Sequence, residues 1–186
     1  LAEPQRTNLI TYSEDFSNAY WTKDRTTVVS GQLSPSGDTS AFKLKEDTTV
    51  GSHKISTSTI HISSGINNTY SIYVKAAERT KVGVREEQHA GKYATFNLLT
   101  KAIISNTGLS ANIITLSNDW LRIDYSQNSG GGLEKFSFFL LNDGYTSGSP
   151  SSYTYTGDGT SGVFIYGAQL EEQSQATAYI KSDGIA

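Results

Sequence analysis

Tyr70-Ser-Ile-Tyr-Val-Lys-Ala76 puts Tyr70, Ile72, Val74 and Ala76 on one side of an extended segment, with Ser71, Tyr73 and Lys75 on the other. Alternation with a period of two builds a strand with a dry face and a wet one, because successive side chains of extended backbone point in opposite directions. The same rhythm runs outward along the chain. Phe42 and Leu44 alternate with Lys43 and Lys45, and Val82 and Val84 alternate with Lys81 and Arg85. Residues 55–66, 93–98, 113–116, 120–125 and 162–171 carry further strand signals. In the run from Phe136 to Leu141 both sides are largely apolar, so that strand is expected to be buried on both faces.

Turns rich in Gly, Ser, Asn and Asp separate these runs at 34–38, 64–65, 90–91, 106–108, 128–132, 142–144 and 157–159. About eight to ten short strands with short connections favour antiparallel pairing over βαβ units. The expected fold is therefore all-β, a two-sheet antiparallel sandwich of the jelly-roll type. Residues 8–186 read as one domain, with 1–7 as a linker or lead-in. Residues 8–21 hold irregularly spaced aromatics, including Trp21, that read as a plug for the sandwich edge; a short helical turn over 17–20 is the competing reading.

Composition narrows the function classes. Hydrophobic residues make up 36% of the 186, enough for a buried interior. Ser and Thr fill about a quarter of the positions, which suits wet strand faces and turns. Fifteen Lys and Arg against 18 Asp and Glu give a net charge of -3, and the basic residues of 75–85 are broken up by apolar ones. That argues against nucleic acid as a partner, whose nonspecific binding rests on many phosphate-neutralising cations. The chain has no Cys, so disulfides and thiolate chemistry are excluded. No apolar stretch is long enough for membrane insertion, and the first residues do not read as a signal peptide. Met is absent even at position 1, as expected of a fragment or a processed chain.

In the strand signal 120–125, Leu121, Ile123 and Tyr125 alternate with Trp120, Arg122 and Asp124. If the first three point inward, Trp120, Arg122 and Asp124 share the outer face, where a ring flanked by an Arg-Asp pair suits a sugar. The alternative is a structural Trp covering an edge. Tyr145, Tyr153 and Tyr155 accompany the long Ser- and Gly-rich stretch 142–160; they read either as an exposed recognition cluster or as loop packing onto the sheet. Gly157-Asp158-Gly159 reads as a tight turn, and Gly130-Gly131-Gly132 lacks the Lys and helix of a phosphate cradle.

Catalytic spacing is missing. His53, His61 and His89 show no zinc or nucleophile-relay pattern, and Glu86 and Glu87, being adjacent, point to opposite faces of a strand. No enzymatic activity is expected. Glu14 and Asp15 near one end, with Gln169 and Glu171 near the other, would meet if the first and last strands are neighbours, and hard oxygens from distant parts of a chain suit a structural Ca²⁺.

Asn8-Leu-Ile-Thr-Tyr-Ser-Glu-Asp-Phe-Ser-Asn-Ala-Tyr-Trp21 and Tyr155-Thr-Gly-Asp-Gly-Thr-Ser-Gly-Val-Phe-Ile-Tyr-Gly-Ala-Gln-Leu-Glu-Glu172, followed by Tyr179-Ile180, frame the chain. Together with Tyr70–Ala76 and Asp119-Trp-Leu-Arg122 they resemble a family of bacteriophage structural domains. Asp119 stands where that family usually has Gly, Tyr166 where it commonly has Trp, and Lys181 where a Pro is usual. The resemblance implies a jelly roll similar to carbohydrate-binding modules, found in tail fibres, tailspikes and other virion surface proteins and beside bacterial polysaccharide-degrading enzymes. It also implies a Ca²⁺ site near the termini, and its tail-appendage setting implies a homotrimer. The leading expectation is a noncatalytic domain on the virion surface that binds host-surface polysaccharide. The alternatives are a structural module contacting other virion proteins, and an extracellular carbohydrate-binding module of a polysaccharide-degrading enzyme.

Overall fold

A computed structural model describes residues 6–88 and 92–184. His89, the Ala90-Gly91 turn and residues 1–5 of the lead-in lie outside the described residues. The strands of the first part are β1 (Thr22–Asp24), β2 (Thr26–Gln32), β3 (Ala41–Glu46), β4 (Val50–Gly51), β5 (His53–Ser56) and β6 (Ile60–Ile62). Then come β7 (Asn67–Ala76), β8 (Lys81–Glu86), β9 (Tyr93–Asn97), β10 (Ala102–Asn106) and β11 (Ser110–Thr115). A 3₁₀ turn, Ser117–Asp119, leads into β12 (Leu121–Asn128), followed by β13 (Gly132–Glu134), β14 (Phe136–Leu141), β15 (Tyr155–Thr156) and β16 (Gly162–Glu171). Among the described residues no helix is long and apolar enough to cross a membrane.

Two six-stranded antiparallel sheets form a jelly-roll-like sandwich. The first has the order β1-β5-β14-β8-β9-β10 and the second β11-β12-β7-β16-β3-β2. The chain crosses between them repeatedly, as from β7 to β8 and from β10 to β11. Tyr70, Ile72 and Val74 of β7 point into the shared core with Ile123 and Ile165, facing Val82, Val84, Phe96 and Phe138 from the first sheet. Alternation thus decides which face is dry, and burial of these side chains supplies the main stabilising free energy.

One strand changes its parity midway. Val163 and Ile165 of β16 point inward, and so do Ala168 and Leu170. A register shift between Tyr166 and Gln169 makes this possible. Gly167 lies there at φ +55°, and a Cβ on it would meet the Tyr73 ring at 3.0 Å and the Tyr179 ring at 3.1 Å. A bulge with a left-handed residue resets the alternation.

The opening segment is a plug: Ile10 and Phe16 are fully buried, and buried Trp21 packs tilted against Phe16 at 4.9 Å and donates its indole N–H to the Tyr12 carbonyl at 2.8 Å. Residues 16–20 form turns instead of a helix, with Trp21 N–H on the Asn18 carbonyl at 3.0 Å. The two ends of the chain meet. Leu9 N–H donates to the Leu170 carbonyl at 2.8 Å and Ala168 N–H to the Ser13 carbonyl at 2.9 Å. The Asn8 amide bridges the carbonyls of Ala168 and Ile180.

Candidate functional site: a groove on the outer face of the second sheet

Register lays out a row of outer-face side chains across the second sheet. Phe164 of β16 lies opposite Lys75 of β7 on one side and Lys43 of β3 on the other, and Lys43 lies opposite Val29 of β2. Leu121 pairs with Val74, which brings Trp120 beside Lys75 at the end of the row. Over this row opens a groove of about 610 Å³, lined by Phe164, Lys75, Asn118, Trp120 and the β2–β3 hairpin through Leu33 and Ser34. The hairpin reaches over because β2 bulges between Val29 and Gln32, where Gly31 takes φ +79°. Phe164 is half-buried, and Leu33, 67% exposed, forms an apolar lip.

The groove's polar groups are held in place. The Lys75 ammonium donates to the Asn118 carbonyl at 2.8 Å. That carbonyl belongs to the β11–β12 hairpin turn, in which Asn118 (φ 56°) and Asp119 (φ 62°) are both left-handed, a conformation Asn and Asp adopt more readily than most residues. Lys43, next in the row, is neutralised by Glu78 at 2.8 Å.

The three outer-face residues of the expected sugar platform are placed on the expected side but are covered. Trp120, Arg122 and Asp124 are only 2%, 7% and 4% exposed, which corrects the expectation of an open platform. Residues 172–183 explain much of this by running over the outer face. Arg122 donates to the Thr177 carbonyl at 2.6 Å and to Ser71 Oγ at 2.9 Å, and lies over the Tyr73 ring, which Tyr179 also packs against. Burial pushes the Asp124 carboxyl above its ordinary pKa, opposed by the Asn112 amide that donates to it at 2.9 Å. Trp120 borders the base of the groove without presenting a ring face. Phe164 is the aromatic the groove offers, and the sequence signal for it was an aromatic on the wet side of a strand whose Val163 and Ile165 point inward.

The tyrosines of the long loop are also covered, which corrects the reading of an exposed cluster. Tyr145 is fully buried and Tyr155 8% exposed, while Tyr153 is half-buried between them, 5.2 Å from the first ring and 5.9 Å from the second. Phe139 and Leu141 point away from the main core and require cover; Tyr145 and Tyr153 provide it. The Tyr145 hydroxyl donates to the Gly148 carbonyl at 2.6 Å and the Tyr155 hydroxyl to Glu46 at 2.7 Å. Asp158 is a turn residue as expected, accepting the N–H groups of Thr160 and Ser161, each at 2.7 Å; with the Ser161 hydroxyl, these bonds hold its carboxyl far below the usual range.

Glu14, Asp15, Gln169 and Glu171 lie on the joined end segments, each with its own partner. Glu14 accepts from the Tyr166 hydroxyl at 2.8 Å and pairs with Lys181 at 2.8 Å, and Asp15 accepts the Ser17 N–H at 3.1 Å. Gln169 Oε1 accepts the Ile180 N–H at 2.6 Å, and Glu171 the Thr177 N–H at 3.0 Å. As disposed here the four do not form one oxygen cage. Among the described residues no group of three His, Asp or Glu stands close enough to hold a metal. Ca²⁺ would have to displace the bonds just given; a melting midpoint raised several degrees by Ca²⁺ over a chelator control would show that it does. The remaining candidates for chemistry are dispersed: His61 is exposed on β6, His53 is buried against Tyr155 at 4.5 Å, and Glu87 is bound by Lys54 at 2.8 Å.

No protein-family model matches the chain, and no curated protein matches it. Solved structures do. The enzymatically active domain of tailspike protein 4 of bacteriophage CBA120 is similar at 16% identity and a TM-score of 0.50, over 88% of this chain and 21% of that one. The chain thus spans about a fifth of the tailspike structure's length. The CBM22-1–GH10 modules of Clostridium thermocellum endo-1,4-β-D-xylanase 10B, complexed with xylohexaose, align at 10% identity and a TM-score of 0.47, over 94% of this chain and 29% of that one. A carbohydrate-binding module of Cellvibrio mixtus lichenase 5A, complexed with cellotriose, aligns at 9% and 0.44, over 90% and 95%. The likeness to the tailspike is one of fold, the jelly-roll-like sandwich described above.

Proposed function

We propose that this protein is a noncatalytic module that binds a glycan in the groove over Phe164. The observation that carries the reading is the pairing of a half-buried aromatic floor with fixed polar groups at its side, Lys75 and Asn118. A pyranose has apolar C–H faces and a rim of hydroxyls, so it needs a ring to stack on and donors and acceptors at the edge. Neither a carboxylate nor a histidine lines the groove among the described residues, so it holds a ligand and has no general acid or base for cleaving it.

The module works outside the cell, tethering its bearer to polysaccharide. The fold neighbour that is a phage tailspike, together with the sequence resemblance to virion domains, supports a place on a phage appendage that contacts host-surface glycan. A place beside a bacterial polysaccharide-degrading enzyme needs the same chemistry and rests on the same groove. Screening the protein, displayed at high valency, against bacterial surface and plant cell-wall glycans tests the reading. Binding to a defined glycan that weakens about tenfold or more in Phe164→Ala, with the fold retained, is the expected result. A chain that binds none of them contradicts it and favours an assembly role among virion proteins.

A further inference from the structure

We infer that the glycan is acidic: a sugar carrying a carboxylate, held with its ring on Phe164 and its charge on Lys75. The inference rests on the reading of the groove as a glycan site and adds the class of sugar.

Lys75 is the only charged side chain lining the groove among the described residues, so the groove's fixed charge is positive although the whole chain is net negative at -3. The nearby acids Glu78, Asp38 and Asp119 stay charged, but none of them lines the groove. Glu78 is spent on Lys43, and Asp38 accepts the N–H of Ser40 at 3.0 Å. Lys75 has no carboxylate partner among the described residues; its one hydrogen bond is to the neutral carbonyl of Asn118, which leaves ammonium donors for a ligand. The two-residue turn of the β11–β12 hairpin, with Asn118 and Asp119 both left-handed, holds that carbonyl on Lys75.

Spacing fits the chemistry. Lys75 and Phe164 are directly opposite on adjacent strands, so their Cβ atoms stand about 5 Å apart. That is about the width of a pyranose ring. Lys75 Nζ is drawn toward Asn118 on the β12 side, so a saccharide stacked on Phe164 must extend across Lys75 for a carboxylate on its edge to reach the ammonium and form a charge-assisted hydrogen bond. A neutral sugar would leave the ammonium without a counter-charge.

The test compares uronate-containing oligosaccharides, such as oligogalacturonate, oligoglucuronate and alginate fragments, with their carboxyl-reduced neutral counterparts. Binding of wild type, Lys75→Gln and Lys75→Arg is measured at low and high salt, with melting midpoints confirming that each variant folds. At least one uronate is expected to bind about tenfold more tightly than its reduced form. Lys75→Gln should erase that preference, Lys75→Arg should restore it, and salt should weaken it. Equal or better binding of the neutral forms, or a preference that survives Lys75→Gln, overturns the inference while leaving the glycan reading in place if Phe164→Ala still abolishes binding. Absence of binding to every saccharide, acidic or neutral, overturns both.

Discussion

Trp120 and Phe164 are aromatic side chains bordering the same groove, and they offer it different things. Trp120 is 2% exposed, so its role is packing; Phe164 is half-buried, so part of its ring faces solvent. Truncating a buried Trp removes many dispersion contacts and leaves a cavity, at about 3–5 kcal/mol. In a domain of this size that lowers the melting midpoint on the order of 10 °C. Trp120→Ala is therefore expected to melt far below wild type in a calorimetric scan, whereas Phe164→Ala should change the midpoint by only a few degrees. Equal shifts would show that the two rings have been assigned the wrong roles. Alternation correctly placed Trp120, Arg122 and Asp124 on the outer side of β12. It carried no information on whether that side was wet, because the segment that covers Arg122 comes from residues some 55 positions away.

At the scale of the element, β16 shows where period-two reading stops. Val163 and Ile165 predict Gly167 and Glu171 as inward positions, yet Ala168 and Leu170 take the inside after the bulge. Gly167 permits this through its positive φ and the narrow space between two tyrosine rings. Gly167→Ala introduces both backbone strain and a contact near 3.0 Å, and is expected to destabilise by about 2 kcal/mol in a denaturant titration. An unchanged midpoint would mean that the bulge is not fixed by this residue. The strands with clean alternation or high β-propensity, β7, β8, β12 and β14, were legible in the sequence. The edge strands β2 and β10 were not, since apolar Val29 and Ile103 sit exposed beside Val28 and Ile104, which leaves no apolar–polar alternation to read. The tyrosines of 145–155 were legible in type and ambiguous in role. The apolar second face of β14, itself visible in the sequence, is what resolved them as cover.

Across the whole molecule, buried charge makes the fold sensitive to acid. Glu46 is 1% exposed and meets Arg79 Nε at 2.8 Å, the Tyr155 hydroxyl at 2.7 Å and the Asp158 N–H at 2.9 Å. Burial alone would raise its pKa, but the Arg79 guanidinium and these hydrogen bonds outweigh burial and hold it below the ordinary value. A carboxyl with a lowered folded pKa stabilises the native state above its unfolded value, about 4.3 for Glu, and that contribution is lost as pH falls through the folded value. Stability is therefore expected to decline below about pH 4. Glu46→Gln should lower stability at pH 7 by about 3 kcal/mol and flatten the acid limb. A variant that follows the wild-type pH curve in parallel would assign the acid sensitivity to other carboxylates. The cluster ties β3 to β15 and the 157–159 turn, and so joins the loop region to the sheet that carries the groove.

The proposed ligand lies on that sheet's outer face, over the Phe164 row. Backbone amide chemical-shift mapping by NMR during titration with a saccharide found to bind tests this most directly. The largest shifts are expected at Leu33, Lys75, Asn118 and Phe164, with the 145–155 loop unmoved. Shifts concentrated on Tyr153 and its neighbours, with Phe164 and Lys75 silent, would contradict this placement.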